Sequence, residues 1–210
     1  MSAFTKTDEA YWIAKEQQIV PHLVDLGGYG FVIQHDSCRD GLCDDPRCLA
    51  RKPVAEALVG ARQALPEGHN FKVVDGWRPW PVQEATARRV EQKIRLAHPD
   101  WTAEQVDRHL WTMAPPARIV PKLASHRYGG ALDLTVVAPD GVDLNMGVPL
   151  HYVTGPEAAL LHYELRDDLA PEEASYRDNR RVLIRAMEAG GFEPYLAEFW
   201  HWGYHRDLLA

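Results

Sequence analysis

Three groups of residues have types and spacings that suit chemistry. In "SHRYGGALDLTV", Ser125 to Val136, His126 and Asp133 stand seven positions apart. Gly129 and Gly130 between them predict a turn, because glycine enters positive φ without a steric penalty, and a turn can fold His126 back beside Asp133. Asp133 itself falls in the apolar run of a predicted strand. A carboxylate is costly there unless it is paired, hydrogen-bonded or bound to a cation. Taken alone, the pair also fits an edge-strand aspartate and a surface histidine. In "EFWHW", Glu198 precedes His201 by three positions among large aromatics. An ideal strand would point the two to opposite faces, so both reach one site only if Glu198 sits at the strand start or beside a bulge. An aromatic cluster with exposed polar positions is the plainer alternative. Together the two segments supply two histidines, one aspartate and a free glutamate. That matches a catalytic zinc, with three protein ligands and an open position for water, and a carboxylate to take the water's proton. The third group is "DGWRP", where Asp75 and Arg78 end a predicted strand in a tight turn. An arginine aimed by the backbone can stabilise charge on a carbonyl oxygen, or it can pair with Asp75 and hold the turn.

The elements that must position these groups follow from periodicity and punctuation. Thr7 to Val20 predicts an amphipathic helix with Tyr11, Trp12, Ala14 and Ile19 among its apolar positions, ending before Pro21. Asp25 to Arg51 reads as irregular. Pro53 suits the first turn of a helix, whose inner face is Val54, Ala57, Leu58, Ala61 and Leu65. Phe71 to Val74 is a strand, and a long helix follows from about Pro81 to Ala97. Thr102 and Gln105 form a capping-box pattern for a helix to Met113. "APPARIVPKLAS" is an extended connector. "ALDLTVVAPDGVDLNMG" predicts a hairpin with a return strand. Thr154 and Pro156 predict a helix to about Asp167, and "RDNRRVLIRAMEAGG" another, stopped by Gly190 and Gly191. The C-terminal "FEPYLAEFWHWGYH" gives two short strands. Helices and hairpins mixed without βαβ alternation predict an α+β fold with a small, mainly antiparallel sheet.

The bulk numbers narrow the function. A length of 210 residues fits one domain, taken as 1–210 with an irregular segment over 1–50. The net charge of −7 and the lack of a basic stripe argue against nucleic acid as a partner. No window approaches a membrane span, and the N-terminus lacks a signal-peptide pattern, so a cytoplasmic protein is expected. Cys38, Cys43 and Cys48 lack C-x-x-C spacing and read as free thiols, with a disulfide or a second metal as alternatives.

With these pieces in order, the sequence resembles the zinc D-alanyl-D-alanine dipeptidases of the vancomycin-resistance type, within a wider group that includes D-Ala-D-Ala carboxypeptidases and the hedgehog amino-terminal domain. The family pattern S-H-x-x-G-x-A-x-D-L-T is met by "SHRYGGALDLT", its D-G-Y-R-P by "DGWRP", and its E-W-W-H by "EFWH". "MG" at Met146-Gly147 and "NRRVLIRAMEAGGF" match further segments, and "RCLARKPVAEALVGA" is similar to a helix start in these enzymes. The resemblance spans about residues 45 to 205, and four motifs in order are specific.

The resemblance implies one zinc ion held by His126, Asp133 and His201. Glu198 would be general base and later proton donor, Arg78 would stabilise the tetrahedral intermediate, and Ser125 and Asp75 would shape the substrate pocket. The implied substrate is a small D-amino-acid dipeptide such as D-Ala-D-Ala. A carboxypeptidase or amidase of the same group, or a non-catalytic zinc-binding module, are the alternatives. Two departures stand out. After "MG" the family usually carries Phe-Asp, whose carboxylate helps hold the substrate's ammonium; here the pair is Leu150-His151. An imidazole cannot replace a carboxylate in that role, so His151 marks a changed substrate subsite. The family's Asn-x-Thr-Gly segment is also replaced by the Cys-rich "QHDSCRDGLCDDPRC".

Overall fold

The computed structural model describes residues 9–117 and 125–205. In chain order, α1 (Glu9–Ile19) leads through a 3-10 turn to β1 (Leu23–Asp25), then β2 (Val32–Ile33), the one-turn α2 (Asp36–Arg39), β3 (Leu49–Arg51) and α3 (Lys52–Arg62). Next come β4 (Asn70–Asp75), α4 (Trp80–Ala97), α5 (Ala103–Met113), β5 (Ala131–Val137), α6 (Pro171–Ala189), β6 (Glu193–Pro194) and β7 (His201–Gly203). The main sheet has the order β2-β4-β5-β7-β6, and only β2–β4 is parallel. β1 and β3 pair separately. This is the expected α+β fold with a small, mainly antiparallel sheet.

β5 lies at the centre and is buried along its whole length, which its sequence, apolar but for Asp133 and Thr135, permits. Leu132, Leu134 and Val136 join Val54, Leu58, Leu183 and Met187 of α3 and α6 in one hydrophobic core. Pro53 does open α3, and the Thr102–Gln105 capping box is formed at both of its hydrogen bonds. No described helix is long and apolar enough to cross a membrane.

Four expectations need correction. The stretch 25–51 is not irregular: it holds β2, α2 and β3 between tight turns. The return strand of the hairpin shrinks to a single bridge between Val137 and Asp143. Instead of a helix to Asp167 there is only a 3-10 turn, Pro156–Ala158, followed by turns. Arg180 on α6 takes the carbonyls of Glu157 and Ala159, acceptors that a continued helix would have used internally. Helix α1 buries Ile19 but exposes Ala14, so its apolar stripe is narrower than predicted. Most of the "APPARIVPKLAS" connector (118–124) and the side chains of Tyr11 and Trp12 lie outside the described residues.

Candidate metal centre

Three elements bring the predicted ligands together. His126 opens a 3-10 turn, His126–Tyr128, which ends at Gly129 with φ of 66°. The amides of Gly129 and Gly130 donate to the carbonyls of His126 and Ser125 and close that turn. Asp133 lies in β5, and its cross-strand partner in β7 is His201. Directly paired residues of an antiparallel ladder share a face with their Cβ atoms about 5 Å apart. Glu198 sits in the turn just before β7, its amide bound to the Tyr195 carbonyl, so the strand start does bring it to the site.

His126 Nε2, Asp133 Oδ1 and His201 Nδ1 form a triangle with sides of 3.2, 3.1 and 3.0 Å. Ligand atoms about 2.0 Å from a tetrahedral metal are about 3.3 Å apart. His126 Nδ1 lies 2.6 Å from the Gly76 carbonyl, which can only accept, so that nitrogen carries the proton. Its Nε2 then presents a lone pair to the Asp133 carboxylate. Two acceptors at 3.2 Å require a cation or proton between them, and the backbone-fixed tautomer is the one suited to a metal. The residues fit a divalent ion, and they are the only such three-residue group among the described residues.

The surroundings are strongly polarised. Arg78 donates from Nε to Asp75 Oδ2 at 2.8 Å and from a terminal nitrogen to Asp133 Oδ2. Both readings of that arginine therefore hold: it braces the turn through Asp75 and reaches the site. Burial alone would raise the Asp133 carboxyl, but its contacts with His126 and the Arg78 guanidinium hold it well below the usual range. Burial pushes Glu198 the other way, well above its ordinary value, with the Asp133 charge adding to the effect. Its Oε2 lies 3.9 Å from His201 Nδ1. Asp133 is thereby kept anionic, as a metal-holding carboxylate must be, while Glu198 is set apart from it as the carboxyl that more readily holds a proton.

Asp75 is buried with Ser37 Oγ at 2.7 Å and His35 Nε2 at 3.5 Å. Gly76 is needed beside it: an added Cβ would come within 2.3 Å of the Leu49 carbonyl. His151 also reaches the cluster. Its Nε2 is 3.3 Å from Asp133 Oδ2 and its Nδ1 3.4 Å from Asp36 Oδ2. It is the only non-glycine residue with positive φ, 58°, among the described residues, a strain that clusters at functional sites. Desolvation would lower its pKa, but the bonds to Asp133 and Asp36 lift it to about 9.

A cleft of about 550 Å³ opens on one side of the cluster, bordered by Arg78, Ser125, Glu198 and His201, with Trp111 and Tyr195 on its wall. Ser125 Oγ is buried without a hydrogen-bond partner among the described residues. A smaller cavity of about 60 Å³ shares Arg78 and Glu198 with the cleft and is lined by Asp36, Asp75 and His151 among others. Every predicted site residue thus falls at one centre. Sequence reasoning missed Asp36, Ser37 and His35, since the "HDS" triplet has no period that assigns it a face. Cys38, Cys43 and Cys48 are free thiols.

A family model described as D-ala-D-ala dipeptidase matches residues 37–210. A D-alanyl-D-alanine dipeptidase of Enterococcus faecium is similar, with 27% identity over 158 residues that cover 74% of this chain and 73% of the relative.

Proposed function

The chain belongs to the D-Ala-D-Ala dipeptidase family and is a peptidase of that family, and from that premise we propose that it is a zinc enzyme hydrolysing a small D-amino-acid dipeptide. The observation that carries the reading is the triangle of acceptor atoms from His126, Asp133 and His201 with Glu198 beside it. Zinc held there supplies an acidified water and an electrophile for the scissile carbonyl. Glu198, desolvated and held at the cluster, takes the proton of the attacking water and passes it to the leaving amine. Asp75 and Asp133 fix the guanidinium of Arg78, whose other donors face the negative charge that builds on the carbonyl oxygen. Ser125, which lines the cleft and whose Oγ has no partner among the described residues, is the group we assign to bond the substrate. His151 stands where a carboxylate would hold the free amine, so turnover of D-Ala-D-Ala itself should be inefficient.

One observation favours a second reading, a carboxypeptidase or amidase of the same family. The cleft of about 550 Å³ falls in the range that takes drug-sized ligands, more than two alanines need. The test compares hydrolysis of D-Ala-D-Ala, other D-dipeptides and their N-acetyl forms by chelated and zinc-reloaded protein. Zinc-dependent cleavage confined to free-amine dipeptides is expected. Comparable turnover of N-blocked peptides would select the second reading. Zinc binding with no hydrolysis of any peptide would leave a non-catalytic module.

A further inference from the structure

Helix α1 lies before the part of the chain matched by the family model, yet one of its side chains is buried against the two segments that carry His126 and Arg78. Glu16 is 6% exposed. Its Oε1 accepts from Arg127 Nε at 3.1 Å and from a terminal nitrogen of Arg127 at 2.7 Å. Its Oε2 accepts the backbone amide of Trp80 at 3.0 Å. Arg127 follows the ligand His126 directly, and Trp80 stands two residues after Arg78. One carboxylate therefore grips both segments that feed the centre.

Those segments are also stitched to each other. The amide of Arg78 donates to the His126 carbonyl at 3.1 Å, and the Trp77 indole donates to the Arg127 carbonyl at 3.2 Å. The Arg127 guanidinium stacks 4.8 Å over the Trp80 ring and bonds the Ala117 carbonyl at 2.6 Å. Arg127 is itself 4% exposed. A buried guanidinium needs a counter-charge, and the Glu16 carboxylate supplies one to two of its nitrogens. Loss of the Glu16 carboxylate would remove the group that ties the His126 turn, through Arg127, to the Trp80 amide at the start of α4.

We propose that Glu16 is a positioning residue for the metal centre, locking the His126 turn against the Arg78 turn. The N-terminal helix is then part of the active-site scaffold, although it lies outside the matched family region. The inference rests on the metal reading of the His126–Asp133–His201 cluster.

The test uses the full chain carrying Glu16→Gln, which keeps the shape and one acceptor but removes the charge. Zn2+ alone is the probe, its affinity measured by competition with a chromogenic chelator. Amide hydrogen exchange at residues 126–130 of the metal-free protein is the second readout. Expected are a Zn2+ affinity weaker by about tenfold, as for other groups that orient ligands, faster exchange in the turn, and a fall in kcat with KM little changed. If Glu16→Gln does not fold, as near-UV circular dichroism would reveal, Arg127→Lys, which keeps the charge but loses the fork, replaces it. A folded variant with unchanged Zn2+ affinity and unchanged exchange at 126–130 overturns the proposal, even if its Tm has dropped. A wild-type chain that binds no Zn2+ overturns the metal reading instead, and the exchange comparison still decides whether Glu16 orders the turn.

Discussion

Asp133 and His201 are direct partners in the β5–β7 ladder, so two proposed metal ligands 68 residues apart are set side by side by strand register. A slip of one residue would send one of them to the opposite face. His126 alone reaches the centre from a turn. Loss of a ligand should therefore abolish binding rather than weaken it by degrees. Asp133→Asn and His201→Ala are each expected to lower Zn2+ affinity by more than ~100-fold, beyond the effect of changing an outer partner. Chelator competition and metal analysis of the purified variants check this, and chelation of the wild type should remove its activity reversibly.

Glu198 touches no more than the edge of the ligand triangle, so its loss should leave the ion in place. Glu198→Gln is expected to retain one Zn2+ per chain while kcat falls by about 10²–10⁴-fold, the usual worth of a general acid–base. Parallel metal analysis and steady-state kinetics separate the two outcomes. Retained activity with metal bound would remove Glu198 from its proposed role.

The turn beneath His126 depends on Gly129. Its φ of 66° strains any side chain, and an added Cβ, 2.8 Å from Leu23 Cδ2 and 3.3 Å from the Arg51 amide nitrogen, would force Leu23 to move. Gly129→Ala should cost about 1–2 kcal/mol from the left-handed backbone alone, and more from the clash. Urea melts of metal-free protein measure the first effect. Zn2+ titration measures the accompanying loss of affinity, which the neighbouring ligand makes unavoidable.

Asp75 links stability to pH. Burial by itself would raise its carboxyl, but the Arg78 charge and the His35 hydrogen bond hold it well below the usual range. A depressed carboxylate contributes stability above its unfolded value of about 3.9, and that contribution is lost as pH falls through the lower folded value. Asp75→Asn should cost ~3–5 kcal/mol near neutrality, because it strips a buried partner from Arg78. Its stability curve should also be flatter in acid. Denaturant melts of the chelated proteins from pH 7 down to about pH 3 give both numbers.

The cysteines give a chemical check on the N-terminal region. Burial and the neighbouring Cys38 push the Cys43 thiol to about 11, and burial pushes Cys48 well above its ordinary value. Thiolate is the reactive form, so both should resist a thiol reagent at pH 8 in the folded protein. Fast modification of all three thiols before unfolding would contradict the packing described for 36–51.

The sequence made the local parts of this molecule legible. Pro53, the Thr102–Gln105 box and the run from Ala131 to Val137 each carry a signal within a few residues, and each forms as read. The site was legible as a set of residues because its motifs are short and contiguous. What stayed hidden depends on distant partners. The helix predicted from Pro156 fails because Arg180, more than twenty residues away, claims its carbonyls. The parallel pairing of β2 with β4 joins segments whose own sequences do not specify each other. Glu16 carries no signal of its own in the sequence, since nothing near it reveals that Arg127 and Trp80 will meet it.

Asp75, Asp133 and His201 form one row across three neighbouring strands, whereas Asp36 and His151 stand on a one-turn helix and in a loop. The row is tied by backbone hydrogen bonds that no side-chain exchange removes. The two outer residues are not paired in the sheet: the Asp36 backbone is tied within its own turn, its carbonyl accepting from the Asp40 amide. The molecule thus divides into a fixed reaction bench and interchangeable fittings. Altered selectivity in an engineered variant is best sought by rewriting residues 34–45 and 148–155, leaving the sheet untouched.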